Sequence, residues 1–286
     1  MSERTAVDAH HHFWDPARAS YPWMTPGMAA INRPFGPEDL APLLATAGIR
    51  RTVVVQARHS IEETRELLEV AAGSPFVAGV VGWVDLTDPG VGAMLDDLRD
   101  GLGGPRLVGI RHQVQDEPDP EWLLRGDVRR GLRAVADAGL AFDLLVRSRE
   151  LPAALEIVRA LPDLRFVIDH LAKPPIREGG LEPWATLVEP FGPVDNASCK
   201  LSGLVTEADW RAWKVEDLTP FARHAIEVFG PDRVMFGSDW PVSLLAAPYP
   251  RVVEAARALT AELSQPEKDA VFGGVAARFY RLDGTA

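Results

Sequence analysis

The sequence predicts a single α/β domain, a (β/α)8 TIM-type barrel, and three observations lead to that prediction. The chain has 286 residues, a length that suits one barrel spanning residues 1–286. Eight short apolar or β-branched runs alternate with longer stretches of helical periodicity, as expected of repeated β–α units. Runs such as Val53–Val55 are apolar on both alternating faces, which is typical of parallel strands covered by helices.

The predicted strands follow one another at regular intervals along the chain. They are Ala6–His12, Arg51–Gln56, Phe76–Val84, Leu107–His112, Leu140–Val146, Arg165–His170, Ala197–Ser202 and Arg233–Ser238. Helices are predicted between them, among others at Pro37–Thr46, Ile61–Ala72, Gly92–Arg99 and Asp127–Ala138. Gly48, Gly139 and Gly230 come shortly before strands and match the glycine that caps a helix C-terminus. No glycine-rich phosphate turn follows an early strand, which favours a closed barrel over an open doubly wound sheet.

The composition is typical of a globular protein, and the net charge argues against several classes of partner. Hydrophobic residues make up 47% and charged residues 25% of the chain, so a sizeable core can be buried. With 41 acidic and 30 basic residues and a net charge of −11, neither nucleic acid nor an anionic membrane surface is an expected partner. The single cysteine, Cys199, excludes an intramolecular disulfide. We expect a cytoplasmic protein, either a monomer or a homodimer, with a small-molecule substrate.

The first strand ends in a His-x-His pattern. Side chains two apart in a strand project from the same face, so Asp8, His10 and His12 are predicted on one face and His11 on the other. The end of a barrel strand lies at the face where barrel enzymes carry their active sites. Two imidazoles converging there make half of a metal site. The alternative is that these histidines are structural and hydrogen-bonded in place.

Two further strands end in polar residues. His170 follows the apolar run of strand six, and Asp239 follows that of strand eight. A carboxylate facing histidines can accept a proton from water or ligate a divalent metal. The alternative for Asp239 is a cap or turn before Pro241. Three strand ends therefore point to one site at the barrel mouth.

Other polar or aromatic side chains near the strand ends are candidate substrate contacts. These candidates are Tyr21, Trp23, Gln56, Arg58, His59, Arg111 and His112. A guanidinium such as that of Arg111 suits a carboxylate or hydroxylated substrate, although an ion pair with a rim acid is an equal alternative. The aromatic first loop, residues 13–50, is either a substrate lid or packing against the rim. Lys200, if buried, needs an acidic partner such as Asp143 and is then structural.

Ordered motifs across nearly the whole chain carry a family resemblance. They are DAHHHFWD, YPWM, VVVQA, VVGWVDL, GIRHQVQDEPDPEWL, VIDHLAKPPI, CKLSGLVTEADW and FGSDWPV. The sequence resembles the amidohydrolase superfamily, its amidohydrolase-2 group, and within that group the L-fucono- and L-rhamnono-lactonase-like branch. The resemblance implies a hydrolase that opens the ester bond of a small lactone, a sugar-acid lactone in this branch.

The resemblance also implies roles for the residues at the strand ends. His10 and His12 are then the paired histidines of strand one, His170 is the strand-six histidine, and Asp239 is the general base. These four could hold one zinc or another divalent ion. In a metal-free alternative, the histidines and Arg111 polarise the carbonyl while Asp239 activates water.

Two departures from the family pattern bear on the metal. Metal-dependent members commonly carry a histidine at the end of strand five and a lysine or carboxylate at the end of strand four. Strand five here has no histidine, and strand four ends in Arg111 and His112. We therefore do not expect a binuclear site.

Two other functions remain as alternatives. A metal-dependent decarboxylase of an aromatic or unsaturated acid belongs to the same group, but the members resembling this chain have a proline soon after the paired histidines. Here Phe13 and Trp14 follow instead. A barrel kept only for ligand binding is the second alternative, and it predicts a damaged mouth, whereas all four expected polar residues are present.

Overall fold

The computed structural model of the protein describes residues 6–282, and its centre is one eight-stranded parallel sheet in sequential order. The strands are β1 (Val7–His11), β2 (Arg51–Val55), β3 (Val77–Gly82), β4 (Leu107–His112), β5 (Ala141–Leu144), β6 (Arg165–Ile168), β7 (Ala197–Leu201) and β8 (Val234–Phe236). Each strand pairs in parallel with the next. The predicted (β/α)8 barrel is confirmed.

Helices connect the strands and form the outer layer. They are α1 (Pro37–Ala47), α2 (Ile61–Gly73), α3 (Val91–Asp100), α4 (Gly126–Asp137), α5 (Leu151–Ala160), α6 (Trp184–Val188), α7 (Leu204–Glu207), α8 (Val215–Phe229), α9 (Tyr249–Leu259), α10 (Gln265–Asp269) and α11 (Val275–Phe279). The four helices predicted above are confirmed to within a residue at each end. Gly48, Gly139 and Gly230 have the positive φ expected of helix caps. Within the described residues, every helix is too short or too polar to cross a bilayer.

The barrel closes between β8 and β1 at its C-terminal mouth. The amide of Asp239 donates to the carbonyl of His10 at 2.8 Å, and the amide of His12 donates to the carbonyl of Trp240 at 2.7 Å. These backbone hydrogen bonds fix three of the predicted site residues relative to one another. The position of the site is thus set by the same contacts that close the barrel.

The lower part of the barrel is filled by apolar side chains. Val53, Val55, Val167 and Met235 form one buried cluster with residues of α11, including Phe279. Filling by branched and apolar side chains makes the interior a packed core rather than a pore. A ligand can therefore approach the strand-end histidines only from the mouth.

The strands that carry site residues are shorter than predicted or irregular. β6 stops at Ile168 and β8 at Phe236, so His170 and Asp239 lie beyond the sheet ladder. In β1 the register shifts between Asp8 and His11, which is the mark of a β-bulge.

The prediction for Asp8 is wrong because of this bulge. Its side chain does not share a face with His12 but accepts hydrogen bonds from the Ser238 amide at 2.8 Å and the Tyr249 hydroxyl at 3.0 Å. Tyr249 lies on α9 in the outer layer. Since one extra residue reverses the alternation of side chains, the sequence period of two fails across this strand.

Candidate active site

Four side chains converge at the barrel mouth, where β1, β6 and β8 end. His10, His170 and Asp239 each offer one donor atom, and these three atoms lie within 4.8 Å of one another. His12 adds an Nε2 atom 3.5 Å from Oδ1 of Asp239. All four side chains are buried. The structure therefore brings together the residues predicted from the ends of strands one, six and eight.

The partners of the imidazole Nδ1 atoms indicate which nitrogen faces the cluster. Nδ1 of His12 lies 2.7 Å from the carbonyl oxygen of Val55, which can only accept, so Nδ1 carries the hydrogen. Nδ1 of His10 lies 3.3 Å from the carboxylate of Asp169, which accepts, and 3.1 Å from Nζ of Lys200, which donates. The Nε2 lone pair of His12 therefore faces Asp239, and Nε2 of His10 lies 3.9 Å from the same carboxylate oxygen. Imidazole nitrogens and one carboxylate in this array fit a divalent metal such as zinc.

Arg111 lies at the floor of the site and is held by protein partners. Its Nε and Nη2 donate to Oε1 of Gln56 at 3.1 and 3.0 Å, and Nη2 also donates to the Gln56 carbonyl. Nη1 donates to Asp169 at 3.0 Å and lies 3.3 Å from Nε2 of His10. Arg111 therefore forms the ion pair that was the alternative to a substrate contact. A permanent cation thus lies beside Nε2 of His10.

Lys200 forms a second buried network below the histidines. Its Nζ lies 2.5 Å from Oδ2 of Asp143 and 3.0 Å from Oδ1 of Asp169. It is also 3.1 Å from Nδ1 of His10. The hydroxyl of Tyr280, at the end of α11, donates to Asp143 at 2.8 Å. The acidic partner predicted for Lys200 is confirmed, and the network connects the floor of the barrel to the site.

Burial and neighbouring groups keep Asp239 anionic and the three imidazoles neutral, which are the protonation states that a general base and metal ligands need. Burial lowers the pKa of His170 to about 4 and lowers the pKa of His12, despite the nearby Asp239 carboxylate. Burial opposes ionisation of Asp239, but the nearby His170 and His12 rings outweigh it and lower the pKa of Asp239. At neutral pH the site therefore contains an anionic Asp239 and neutral imidazoles.

Backbone with positive φ orients two of these residues. The four residues His170–Lys173 have φ values of 54°, 51°, 59° and 50°, and Asp239 has 56°. For residues with a side chain, this left-handed conformation costs about 1–2 kcal/mol each. Strain of this kind is concentrated at functional sites, where it is maintained by the surrounding structure. Here it directs the side chains after β6 and β8 toward the cavity.

Two glycines give the histidines room. A β-carbon at Gly203 would lie 2.5 Å from Nδ1 of His170, and one at Gly237 would lie 2.6 Å from Cβ of His10. Both distances are far inside van der Waals contact. The glycines in the motifs LSGL and FGSDW are therefore required by the packing of the site histidines.

His12, His170 and Asp239 border a cavity of about 480 Å³ that opens at the barrel mouth. Its lining consists of His12, Trp23, Met28, Ala57, Arg111, Gln113, Gln115, Asp116, Leu145, Arg147, His170, Lys173, Thr206, Glu207, Trp210, Asp239, Val242 and Leu245. Cavities of this size hold small-molecule ligands. Trp23, from the first loop, is the predicted aromatic contact that lies in the wall, and its Nε1 donates to the carbonyl of Ala57 at 2.9 Å.

Gln56 and Arg58, predicted as substrate contacts, lie elsewhere. Gln56 is fully buried behind the wall, where it accepts from Arg111 and donates to the carbonyl of Arg58. The guanidinium of Arg58 lies 3.8 Å from Glu63 and 3.7 Å from Glu66. Both side chains support the loop after β2 instead of reaching into the cavity.

Tyr21 and His112 are likewise placed outside the cavity lining. Tyr21 packs against Trp14 and Trp23, with ring centroids 6.0 and 6.4 Å away. His112 stacks between His59 and Trp122, with both centroids at 4.1 Å. Its polar groups bind Trp83 and Glu117. The partners of Tyr21 lie in its own loop, whereas His59 comes from the loop after β2, and sequence patterns do not reveal such long-range stacking on His112.

Sequence reasoning missed Asp169, Lys173 and Glu207. Asp169 precedes His170 directly, and a polar residue at the end of a buried strand is a usable signal. Lys173 and Glu207 carry no periodic signal, since Lys173 lies in the turn after β6 and Glu207 ends the four-residue helix α7. Nζ of Lys173 lies 3.6 Å from Oε1 of Glu207, and both residues line the cavity.

Comparison with known proteins agrees with this geometry. The amidohydrolase family model Amidohydro_2 matches residues 7–282. The L-fucono-1,5-lactonase of Burkholderia ambifaria is 42% identical, over 97% of this chain and 96% of that relative. The L-fucono-1,5-lactonase of Burkholderia multivorans is 38% identical, over 96% of each chain. A crystal structure of a Burkholderia multivorans amidohydrolase with bound zinc has a TM-score of 0.91 at 37% identity, over 97% of this chain and 99% of that one. The chain belongs to the amidohydrolase family described by that model.

Proposed function

We propose that the protein hydrolyses the ester bond of a small sugar-acid lactone, with Asp239 as the general base. The observation that carries the proposal is an anionic, buried carboxylate beside three neutral imidazoles at the base of a small-molecule cavity. The identity of 42% and 38% with two L-fucono-1,5-lactonases, over nearly the full chain, supports the substrate class.

The residues of the site are suited to the steps of ester hydrolysis. Asp239 takes a proton from water as the water oxygen attacks the lactone carbonyl. The positive charge of Arg111 favours the negative charge that develops on the carbonyl oxygen. The bond between the carbonyl carbon and the ring oxygen then breaks. The ring oxygen leaves as an alcohol after taking up one proton, which balances the proton that Asp239 removed from the water.

A divalent metal ion, zinc above all, fits the donor atoms of this site. We propose that His10, His170 and Asp239 would hold it, with His12 beside them. When bound, such an ion supplies polarisation of the carbonyl and lowers the pKa of a water to about 7. Asp169 orients His10 through Nδ1, a contact typical of metal-ligating histidines.

The remaining cavity wall suits a hydroxylated substrate. Gln113, Gln115, Thr206 and Glu207 present amide, hydroxyl and carboxylate groups to the cavity. Such groups match the donors and acceptors of sugar hydroxyls. Oε1 of Gln115 is buried and has no hydrogen-bond partner within the described chain. A substrate hydroxyl would satisfy it.

Proton release from a panel of aldonolactones, including L-fucono-1,5-lactone, tests the proposal. We expect turnover by the wild type and a loss of at least about 1000-fold in kcat/KM for Asp239→Asn, consistent with loss of the base and of one charge. Asp97→Asn, at an exposed ion pair with Arg65, is the matched control and should keep wild-type rates. Equal rates for Asp239→Asn and wild type would remove Asp239 as base, and no turnover of any lactone would overturn the function.

A further inference from the structure

One wall of the cavity contains a buried polar atom that the protein leaves without a partner. Oε1 of Gln115 is shielded from solvent and receives no hydrogen bond from any residue of the described chain. Among the described residues that line the cavity, Gln115 is the one whose side chain has such an atom. A buried acceptor without a donor destabilises the folded protein. At the wall of a cavity, it indicates a ligand that supplies the donor.

The neighbouring Gln113 shows that a glutamine in this loop can be bound by the protein. Nε2 of Gln113 donates to the carbonyl oxygen of Ala57 at 3.2 Å, which connects the loop after β4 to the loop after β2. Gln115 follows two residues later, within the short 3-10 turn Val114–Asp116. Both glutamines line the cavity. Gln113 therefore holds the loop, whereas the acceptor of Gln115 stays available to a ligand.

The backbone around Gln115 is held at several points. The amide of Gln115 donates to the carbonyl of Leu145, just beyond β5, at 3.0 Å, and the amide of Glu117 donates to the carbonyl of Val114 at 3.0 Å. Val114 is fully buried. Oε1 of Glu117 lies 2.7 Å from Nε2 of His112, at the end of β4. Because these contacts already order the segment, binding a ligand at Gln115 costs little additional entropy.

The strand order places Gln115 across the barrel mouth from Asp239. Asp239 follows β8, which closes the barrel against β1, whereas Gln115 follows β4 and is bound to the residue after β5. In a closed barrel of eight sequential strands, the pair β4 and β5 lies opposite the pair β8 and β1. A lactone whose carbonyl carbon lies beside Asp239 therefore presents the far side of its ring to Gln115. In a 1,5-lactone, the hydroxyl-bearing carbons farthest from the carbonyl carbon C1 are C3 and C4.

We propose that Gln115 determines substrate specificity by accepting, at Oε1, a hydrogen bond from a hydroxyl group on C3 or C4 of the lactone ring. This inference rests on the proposed lactonase function and names the part of the substrate that the site recognises. A lactone without that hydroxyl displaces solvent from Oε1 and leaves it unpaired, so the site rejects it. The preferred substrates are then lactones of polyhydroxylated acids, and simple alkyl lactones are poor substrates.

Two variants of Gln115 separate hydrogen bonding from packing. Gln115→Met keeps the length and the unbranched shape of the side chain but removes the strong acceptor. Gln115→Glu keeps an acceptor oxygen and removes the amide donor. Gln265→Met, at an exposed glutamine that begins α10, is the matched control and should keep wild-type activity.

The first measurement is kcat/KM for the 1,5-aldonolactone that the wild type hydrolyses fastest, and for its 2-deoxy, 3-deoxy and 4-deoxy analogues. We expect the wild type to lose about 10- to 100-fold on the 3-deoxy or the 4-deoxy analogue, beyond any loss shared by Gln115→Met. Gln115→Met should lose a similar factor on the parent lactone and less than about threefold on that same analogue. Gln115→Glu should retain the preference for the hydroxyl.

Four outcomes of this comparison would overturn the proposal. Equal losses for Gln115→Met on the parent lactone and on all three analogues would mean that the residue only packs. Wild-type rates for Gln115→Met on the parent lactone would mean that Oε1 contacts no substrate group. A preference that depends on Gln115 but involves the 2-hydroxyl alone would contradict the placement across the mouth. Loss of the preference in Gln115→Glu would mean that the amide of Gln115 donates and does not accept.

Binding of lactams distinguishes failure of this inference from failure of the proposed function. L-fucono-1,5-lactam and its 3-deoxy and 4-deoxy analogues keep the ring, and amide resonance makes them less reactive than lactones. In isothermal titration calorimetry, we expect the wild type to bind one deoxy lactam at least about 10-fold more weakly than the parent lactam. The difference should fall below about threefold in Gln115→Met. If the wild type hydrolyses no lactone, the proposed function fails, and this pattern of binding would still support recognition by Gln115. Equal Kd values for the three lactams in the wild type would overturn it.

Discussion

At the scale of single residues, neighbouring histidines have different partners and therefore different roles. His10 and His12 direct Nε2 toward Asp239, whereas Nε2 of His11 lies 2.9 Å from the hydroxyl of Thr52 on the opposite face. The His-x-His spacing alone predicted this division. It could not predict that Asp169 and Arg111 would contact His10 from two sides.

The first prediction concerns zinc. Asn adopts positive φ more readily than most residues, so His170→Asn should fold while losing one donor of the cluster. We expect the wild type to bind about one zinc per chain in a metal-content measurement by mass spectrometry, and His170→Asn to bind tenfold more weakly or worse. His11→Asn, on the opposite face, is the control and should keep its zinc. Equal zinc binding by both variants would remove His170 from the donor set.

Glu63 carries the second prediction, which concerns stability and pH. Burial raises the pKa of Glu63 to about 7, although it accepts hydrogen bonds from the amides of Ala57 and Arg58. Because the folded-state pKa lies above the unfolded one, the stabilisation is complete below the unfolded pKa, near 4.5, and is lost as pH rises through about 7.

Glu63→Gln removes this ionisation while keeping an acceptor for the two amides. Between about pH 5 and pH 8 the wild type should lose about 2–3 kcal/mol of unfolding free energy relative to the variant. Urea denaturation at a series of pH values measures the difference. Parallel pH dependence of the two proteins would show that Glu63 does not titrate in this range.

At the scale of elements, the sequence predicted strands and helices well and the ends of two strands poorly. Apolar runs predicted all eight strands because burial on both faces leaves a continuous hydrophobic signal. The left-handed turn at His170–Lys173 has no such signal, since none of its residues is glycine. The bulge in β1 was equally hidden, because alternation continues through the sequence while the register shifts.

The third prediction tests the packing of this turn. Gly203→Ala would place a β-carbon against the His170 ring at a position with a φ of 66°. We expect a loss of about 2–4 kcal/mol of unfolding free energy, from overpacking and backbone strain together. The lactonase rate should fall as well, because the ring of His170 must shift.

Gly126→Ala is the matched control for that substitution. A β-carbon at Gly126, the first residue of α4, meets no atom within 4 Å. Because alanine is the better helix former, this variant should be neutral or slightly more stable. Thermal unfolding of both variants provides the comparison, and similar midpoints for the two would contradict the packing argument.

At the scale of the whole molecule, the closed barrel explains why the sequence alone predicts that separate strand ends form one site. Parallel strands in a barrel end at a common mouth, so His12, His170 and Asp239 had to lie near one another. The positions of the Gln56 and His112 side chains did not follow, because Gln56 binds Arg111 and His112 stacks between rings from the loops after β2 and β4. Strand topology determines where the backbone of a residue lies, and long-range partners determine where its side chain points.

The last prediction concerns the network that joins the closed lower end of the barrel to its mouth. The hydroxyl of Tyr280 donates to Asp143, which binds Lys200, which in turn lies against His10. Tyr280→Phe leaves part of a buried carboxylate without its donor, so unfolding free energy should fall by about 1–3 kcal/mol in urea denaturation. Tyr249→Phe, which removes the donor to Asp8, should cost a similar amount and serves as the comparison. Since Lys200 keeps Asp143 and Asp169 as partners in Tyr280→Phe, kcat/KM should stay within about threefold of wild type. A larger loss of activity in this variant than in Tyr249→Phe would mean instead that the hydroxyl of Tyr280 controls the orientation of His10 through Lys200.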